Sequence, residues 1–312
     1  MKIKKIINSQ AEQFLQQNFS SPTHWPDWNI LVEKFYNSKF FYLGAFDNKE
    51  LIGVFPLHLT SHKRFLDRLQ SGQFKMIPNG GWIFSKKQKL SQAFFPVKWN
   101  QSMEIFGLPA VPEFNTDIKD FDKTKKTLVI DLGDTIDEIW KNSVHSKRRN
   151  MIRKAEKEGI TIEKVTAEDE LDDFYRLYIE ASARFTKNPL ELSFFKELFF
   201  QTKNIAFSIF TANKDGKQIA NVGVISDKNY SIYWLGNNAM NMPNFGQGDL
   251  LQWYTIKQMK EKGCKYYDLC YIEPEKLPHI YKFKKGFSNT ETPIYFHSQK
   301  SLFFRISNKF LK

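Results

Sequence analysis

Cysteine is almost absent from this chain. Cys264 and Cys270 are the only two in 312 residues, and their spacing fits neither a zinc site nor a redox motif. A reducing cytoplasm is therefore the expected compartment. No apolar run is long enough to span a bilayer, and Met1-Lys-Ile-Lys-Lys-Ile-Ile passes straight into Asn8-Ser-Gln without a signal-peptide stretch. Low-complexity tracts and short repeats are missing. So is any Ser-His-Asp order or reactive-cysteine context, which argues against a covalent enzyme intermediate. His58 and His62 stand at a strand end without a third ligand, so no metal site is expected.

Acidic residues are also scarce in two places. Lys141 to Lys157 has Glu156 as its one acid and carries +6, and Lys276 to Lys312 has only Glu291 and carries +7. The chain's net charge is +12, so the remaining residues together carry −1. The basicity thus belongs to two segments, which suits a polyanionic partner: a nucleotide, a diphosphate carrier, tRNA or an acidic membrane face.

The rest of the composition is that of a globular protein, with 41% apolar and 26% charged residues. The length favours two domains around two cores, and 30 Phe among 16% aromatics imply tight packing and an apolar groove. Residues 1 to about 130 read as a mixed α/β unit. They contain a helix from Ser9 to Phe19, a turn at Pro22–Trp28 and a hairpin of Phe40–Ala45 with Leu51–Leu59. Gly107–Pro112 reads as irregular and Leu128–Leu132 as a strand. Thr135 and Glu138 form a capping box for one long helix ending at Gly159, with Ile136, Trp140, Val144, Met151 and Ala155 on its apolar face. Helices at 168–185, with Leu171, Phe174, Tyr175 and Tyr178 inward, and at 192–200 precede a hairpin around Asp215-Gly216.

Chemistry concentrates between Asn229 and Phe287. An alternating aromatic strand, Asn229–Gly236, leads to Gly246-Gln247-Gly248-Asp249, a glycine turn opening a helix that closes at Gly263. A short strand at Lys265–Cys270 and the basic-aromatic segment Ile280–Phe287 follow. Antiparallel strands, a crossover helix and a parallel strand make a mixed sheet. Backbone amides at such a helix start favour an anion; the alternative is an ordinary loop whose glycines serve the turn's dihedral angles.

These residues resemble a known family. Ser146–Gly159, Tyr233-Trp-Leu-Gly236, Asp249-Leu-Leu-Gln-Trp253 and Tyr267-Asp-Leu269 are similar to segments of the FemAB-like and CelD/BioF2-like acyltransferases of the GNAT superfamily. Val54-Phe-Pro-Leu57 and the Pro22–Trp28 turn resemble the first of that family's two domains. The resemblance implies an α/β (α+β) fold of two tandem GNAT-like domains, each a mixed, mostly antiparallel sheet flanked by helices. The boundaries fall at 1–134 and 135–298, with a basic amphipathic tail at 299–312. It also implies an acyltransferase that binds no permanent cofactor. The donor is acyl-CoA or aminoacyl-tRNA, and the acceptor an amine of an amino sugar or a cell-envelope precursor. Pro243 stands where the usual acetyl-CoA loop has Gln or Arg, and no long helical arm of the tRNA-dependent kind is present, so the donor stays open. Cys270 occupies a position where many relatives have glycine.

Carried onto this chain, the resemblance assigns donor binding to Gly246, Gln247 and Gly248, with Tyr233 and Trp234 as the groove wall. Lys284, in a Phe-Lys pair, offsets developing negative charge. Asp268 either accepts the amine proton or caps the end of its strand. Lys147, Arg149, Arg153 and Lys282 are candidate substrate contacts, beside the alternative of a solvated basic face. The tail either packs on the core or lies on the inner face of an anionic membrane, which suits a lipid-linked acceptor. Two other functions remain open: Fem-type transfer from charged tRNA to a peptidoglycan precursor, and non-catalytic binding of a polyanion or membrane.

Overall fold

The structure of the chain, a computed structural model, describes residues 1–63, 65–72, 77–90, 97–118, 124–183, 189–240 and 242–310; of 124, 309 and 310 it describes the backbone alone. Two compact units result, Met1–Thr127 with Thr292–Lys312, and Leu128–Glu291.

The first unit begins with strand β1 (Lys2–Ile6) and helix α1 (Asn8–Gln17), which turns Ala11, Phe14 and Leu15 inward. The turn expected at Pro22–Trp28 is the start of a second helix, α2 (Pro26–Tyr36). Pro26 sits in its first turn, where a missing N–H costs nothing. The expected hairpin is present as β2 (Lys39–Asp47) and β3 (Glu50–Lys63), with Asn48 left-handed in the turn. β4 (Leu66–Ser71) pairs with β3, and the short β5 (Ile83–Phe84) pairs with β3 as well. β6 (Gln88–Lys89), β7 (Gln101–Pro109) and β8 (Thr116–Asp117) follow. The Gly107–Pro109 part of the stretch read as irregular is therefore strand. Trp82, stacked 4.9 Å from Phe55 and 5.3 Å from Phe84, lies in the core of this unit.

The second unit is entered along β9 (Thr124–Asp131). The capping box is there: Thr135 Oγ1 accepts from Glu138 N at 3.2 Å, and Glu138 Oε2 accepts from Thr135 N at 2.8 Å. The single long helix is not. A short α3 (Ile136–Glu138) widens into a π turn at Ile139–Ser143, and the chain becomes extended at Val144. α4 (Ser146–Lys157) then starts afresh, with the His145 side chain accepting from Lys147 N at 3.3 Å. The break rotates the apolar face: Ile152 and Ala155 are buried on α4, and Met151 only partly.

β10 (Thr161–Lys164), α5 (Glu170–Ser182) and α6 (Leu192–Phe200) lead to β11 (Ala206–Lys214) and β12 (Lys217–Ser226). Asp215 and Gly216 both take positive φ, as a tight hairpin turn requires. Leu171, Phe174 and Tyr178 face inward on α5 as expected, with Tyr175 half-buried; residues 184–188, at the end of the helix expected there, lie outside the described residues. β13 (Tyr230–Asn238), α7 (Gln247–Glu261), β14 (Tyr266–Asp268) and α8 (Pro278–Lys285) complete the unit. Its sheet runs β9-β14-β13-β12-β11-β10, with β13 and β14 parallel and the other pairs antiparallel.

The chain then returns to the first unit as β15 (Glu291–Lys300), antiparallel to β7, and α9 (Leu302–Phe310). That unit's sheet thus runs β1-β2-β3-β4-β7-β15, with β4 and β7 parallel. Pairing of β15 with β7 places Thr292–Lys312 in the first unit; the compact units divide at 127/128 and 291/292, whereas the sequence suggests 134/135 and 298/299.

α6 is held to the second sheet by an aromatic cluster. The Phe195 ring lies 5.2 Å from Phe174, 5.0 Å from Tyr178, 5.8 Å from Phe207 and 5.9 Å from Trp234. Phe195→Ala leaves a cavity walled by these four aromatic rings, so urea unfolding should show a loss of about 3–5 kcal/mol. A loss below about 1 kcal/mol would mean that the cluster collapses freely.

Candidate active site

The parallel pairing of β13 with β14 lasts only three positions, Tyr230↔Tyr266, Ser231↔Tyr267 and Ile232↔Asp268. β14 stops there, while β13 continues to Asn238 against β12. Val224 faces Tyr233 and Gly223 faces Leu235, so Trp234 is the extra residue of a β-bulge. Beyond the divergence a cavity of about 330 Å³ opens, with Tyr233, Asn237, Gly248, Gln252, His279 and Phe283 in its wall. Tyr233 and Trp234 take opposite directions. Tyr233 faces the cavity, whereas Trp234 joins Phe194, Phe195 and Phe207 in the core under α6. Gly236 makes this possible, because a Cβ there would lie 1.9 Å from the Tyr233 hydroxyl.

Lys284 and Asp268 meet at the end of β14. Asp268 is buried; its Oδ2 accepts from the Tyr230 hydroxyl at 3.1 Å and its Oδ1 from Cys270 N at 2.8 Å. The second bond closes a turn in which Cys270 is left-handed at φ 61°, a conformation that glycine adopts without strain. The turn presents the Cys270 carbonyl to Lys284 Nζ at 3.0 Å. Lys284 is only 7% exposed, and burial holds its ammonium below the usual lysine range, against the opposing pull of Cys270 and Asp268. Its Nζ also stands 5.3 Å from the Tyr233 ring centroid. Neither Lys284 nor Asp268 lines the cavity; Tyr233 lies between Lys284 and that space, sharing one ring with both. Burial pushes the Tyr233 phenol up to about 12 and the Cys270 thiol up to about 11, so both stay protonated at neutral pH.

The two glycines that open α7 do different work. Gly246 has φ 90°, and a Cβ on it would come 2.2 Å from the Met151 carbonyl, so it is bare to let α7 start against α4. Gly248 lines the cavity and meets nothing closer than 3.9 Å, which leaves the first turn of α7 open to the space. Gln247 is buried, its Oε1 accepting from Phe245 N at 2.9 Å, and serves the turn itself.

The basic helix divides in the same way. Arg148 reaches Asp249 at 2.9 Å, lies over the Phe283 ring at 5.2 Å and packs where a Gly286 side chain would be. It therefore ties α4 to α7 and α8. Burial raises the Asp249 carboxyl above its usual value, and Arg148 opposes that rise. Arg149 Nη1 donates to the carbonyls of Val144 at 2.7 Å, Trp140 at 3.0 Å and Lys141 at 3.3 Å, satisfying the broken helix end. Lys147, Arg153 and Lys282 are exposed. None of these cations lines the cavity.

The sequence reading missed the cavity's polar wall. Asn221 Nδ2 donates to the Phe174 carbonyl at 3.3 Å, which fixes its amide; its Oδ1 then accepts from Asn237 Nδ2 at 2.7 Å. Asn237 lines the cavity with its amide nitrogen committed to Asn221, which leaves its oxygen as the acceptor it can offer. Gln252 is held by Tyr267 at 3.0 Å, and His279 lies on the first turn of α8. Asn237 and His279 each lie one residue outside motifs already noted, after the Asn229–Gly236 strand and before the Ile280–Phe287 segment, and neither pattern shows which residues meet across a cavity. Among the described residues, no group of three or more His, Cys, Asp or Glu is placed to hold a metal.

Residues 143–284 match the acetyltransferase (GNAT) domain family. No curated protein matches the chain. Among solved structures, FemX is similar over 100% of both chains at 12% identity, with a TM-score of 0.66. The C-terminal domain of a putative lysylphosphatidylglycerol synthetase from Agrobacterium fabrum is similar over 97% of this chain and 94% of its own, at 13% identity and a TM-score of 0.57. A tandem GNAT protein of clavulanic acid biosynthesis is similar over 96% and 98%, at 10% identity and a TM-score of 0.54. The chain carries a GNAT-type acetyltransferase domain in a FemAB-like fold and is an acyltransferase.

The Arg148–Asp249 pair gives a direct test of how this site is held together. Arg148→Ala strands a buried carboxylate and should cost about 3–5 kcal/mol in urea unfolding at neutral pH. An Arg148→Ala/Asp249→Asn double variant should recover part of that loss, and equal losses in the two would contradict the pairing.

Proposed function

We propose that this acyltransferase moves an acyl group from an acyl-CoA-type donor to an amine of an amino sugar or cell-envelope precursor, by direct attack. The observation that carries the reading is the cavity beyond the β13–β14 divergence, with the open first turn of α7 on one side and α8 on the other. In this reading the donor's phosphates lie toward Gly246, Gln247 and Gly248, and its carbonyl lies in the cavity beside Tyr233. The α7 amides and helix dipole favour the former. The acceptor nitrogen attacks the carbonyl carbon, the carbonyl oxygen gains charge, and the bond to the leaving group then breaks. In this reading Lys284 supports that oxygen electrostatically across the Tyr233 ring, whose centroid is 5.3 Å from its ammonium. His279 and Tyr233 are the titratable side chains of the cavity wall, and His279 takes the proton released by the amine. Asp268 is assigned a positioning role: it fixes the Cys270 turn that holds Lys284. The uncharged wall, with Asn237 offering an acceptor, suits an amine or hydroxyl donor better than a carboxylate.

Lys147, Arg153 and Lys282 are the exposed cations left for a larger anionic substrate. They favour one second reading, transfer from aminoacyl-tRNA to a peptidoglycan precursor. Contact of the C-terminal tail with a membrane belongs to the same proposal, since a lipid-linked amine is presented at such a surface. Mass-shift assays with acyl-CoA or charged tRNA, each with amino sugars and lipid-linked amines, separate these readings. Turnover with acyl-CoA is expected. Turnover with charged tRNA alone would replace the first reading by the second, and salt-sensitive binding without turnover would remove both.

Two outcomes follow for variants. Gly248→Val narrows the cavity without touching the α4–α7 contact and should raise KM for the donor at least about tenfold with unchanged unfolding; Gly246→Val is unsuited to the purpose because it strikes Met151. Lys284→Met should lower kcat/KM by about 10²-fold. The ammonium is the active form and its pKa is lowered, so wild-type kcat/KM should fall as pH rises past a point below 10.5, and Lys284→Met should lack that limb. A limb that survives in the variant would assign it to another group.

A further inference from the structure

The first unit carries an apolar surface that its core does not use. α9 is anchored by buried Phe304, whose ring stacks 5.7 Å from His62, and by Asn308 Oδ1, 2.8 Å from His62 Nε2. Leu302, Phe303 and Ile306, one or two residues away on the same helix, are 69%, 38% and 50% exposed. Their spacing puts them on one side of the helix. Phe303 extends that side across the unit: its ring lies 4.7 Å from Trp99 and 5.6 Å from Phe65, which are 63% and 47% exposed. These segments are fixed in place. Asn100 Nδ2 donates to the Phe65 carbonyl at 2.8 Å, and Ser301 Oγ donates to the Trp99 carbonyl. Three separate stretches of chain therefore join in one outward patch of five large apolar side chains.

The charge around it has one sign. Residues 62–68, 97–102 and 300–310 contain seven Lys or Arg and a single acid, Asp67. Lys98, Lys300 and Arg305 flank the aromatic residues in sequence and are exposed. Two copies of such a face would bring like charges together, which disfavours self-association. An anionic bilayer answers both parts: tryptophan and phenylalanine settle at the level of the headgroups, and lysine and arginine meet phosphates. We propose that this patch docks the protein on an anionic phospholipid surface. Trp99, Phe303 and Ile306 enter the interface, and Lys98, Lys300 and Arg305 contact headgroup phosphates. The proposal extends the reading of a lipid-linked acceptor and rests on it for its biological use. Vesicle binding needs no acyl donor, so the two can fail separately.

The test is co-sedimentation of the full chain with phosphatidylcholine vesicles, with and without about one third phosphatidylglycerol. Wild type should bind the anionic vesicles and release in high salt. Trp99→Ala/Phe303→Ala should weaken binding at least about tenfold, and Lys300→Glu/Arg305→Glu should do the same from the charged side. Both should retain the wild-type thermal midpoint and acyl transfer to a soluble amine. Absence of binding by wild type, or wild-type binding by both double variants, overturns the proposal. So does a wild-type dimer in light scattering that Trp99→Ala/Phe303→Ala converts to monomer, because a second copy would then be the occupant.

Discussion

The second unit depends on a pairing that stops early. β13 and β14 share three parallel positions and then separate, because Asp268 turns the chain at Cys270 instead of letting it run beside β13. A continuous sheet would have used the backbone groups of residues 233–238 for pairing on that side and filled the space with strand. The separation leaves a cavity whose floor is sheet and whose sides are the start of α7 and the inner face of α8. Everything offered to a ligand is arranged around that gap.

Holding the gap open falls to residues that first look like ligand contacts. Arg148 is committed to Asp249 and to the packing of α8, and Arg149 to three carbonyls at the broken helix. Gly246 clears the Met151 carbonyl. Asp268 spends both carboxylate oxygens inside the protein. The wall is left largely uncharged, with Asn221, Asn237, Asn238, Gln252, His279 and Tyr233 as its polar side chains. A low-dielectric space of this kind strengthens any charge interaction made within it, which is where a buried ammonium one ring away has most effect.

Much of this architecture was legible in the sequence. The Asp215-Gly216 hairpin, the Thr135–Glu138 capping box and the Gly246–Gly263 helix each carry local chemistry that determines their form. The break at Val144 was not legible, because Ile136, Trp140 and Val144 keep helical spacing while the backbone widens to a π turn between them. The helix at Pro26–Tyr36 was hidden by the two prolines and two tryptophans of its approach. In the site, alternation separated Tyr233 from Trp234 correctly in principle, but only the bulge shows which of them faces the cavity. Lys282, Lys284 and Lys285 look alike in sequence. The Phe-Lys resemblance picks out Lys284, and burial supplies the physical difference, since α8 turns that residue inward and the other two to solvent. Asn221 and Asn237 come together only through sheet register, which composition cannot supply.

The most direct measurement of the central claim is a crystal structure with an acyl donor or a non-hydrolysable analogue bound. The account predicts donor density that begins at the first turn of α7 and ends with its carbonyl beside Tyr233 in the cavity beyond Ile232 and Asp268. Density instead in the separate hollow lined by Gly159, Thr161, Glu163 and Gln218, with the cavity at Tyr233 left unchanged, would contradict it.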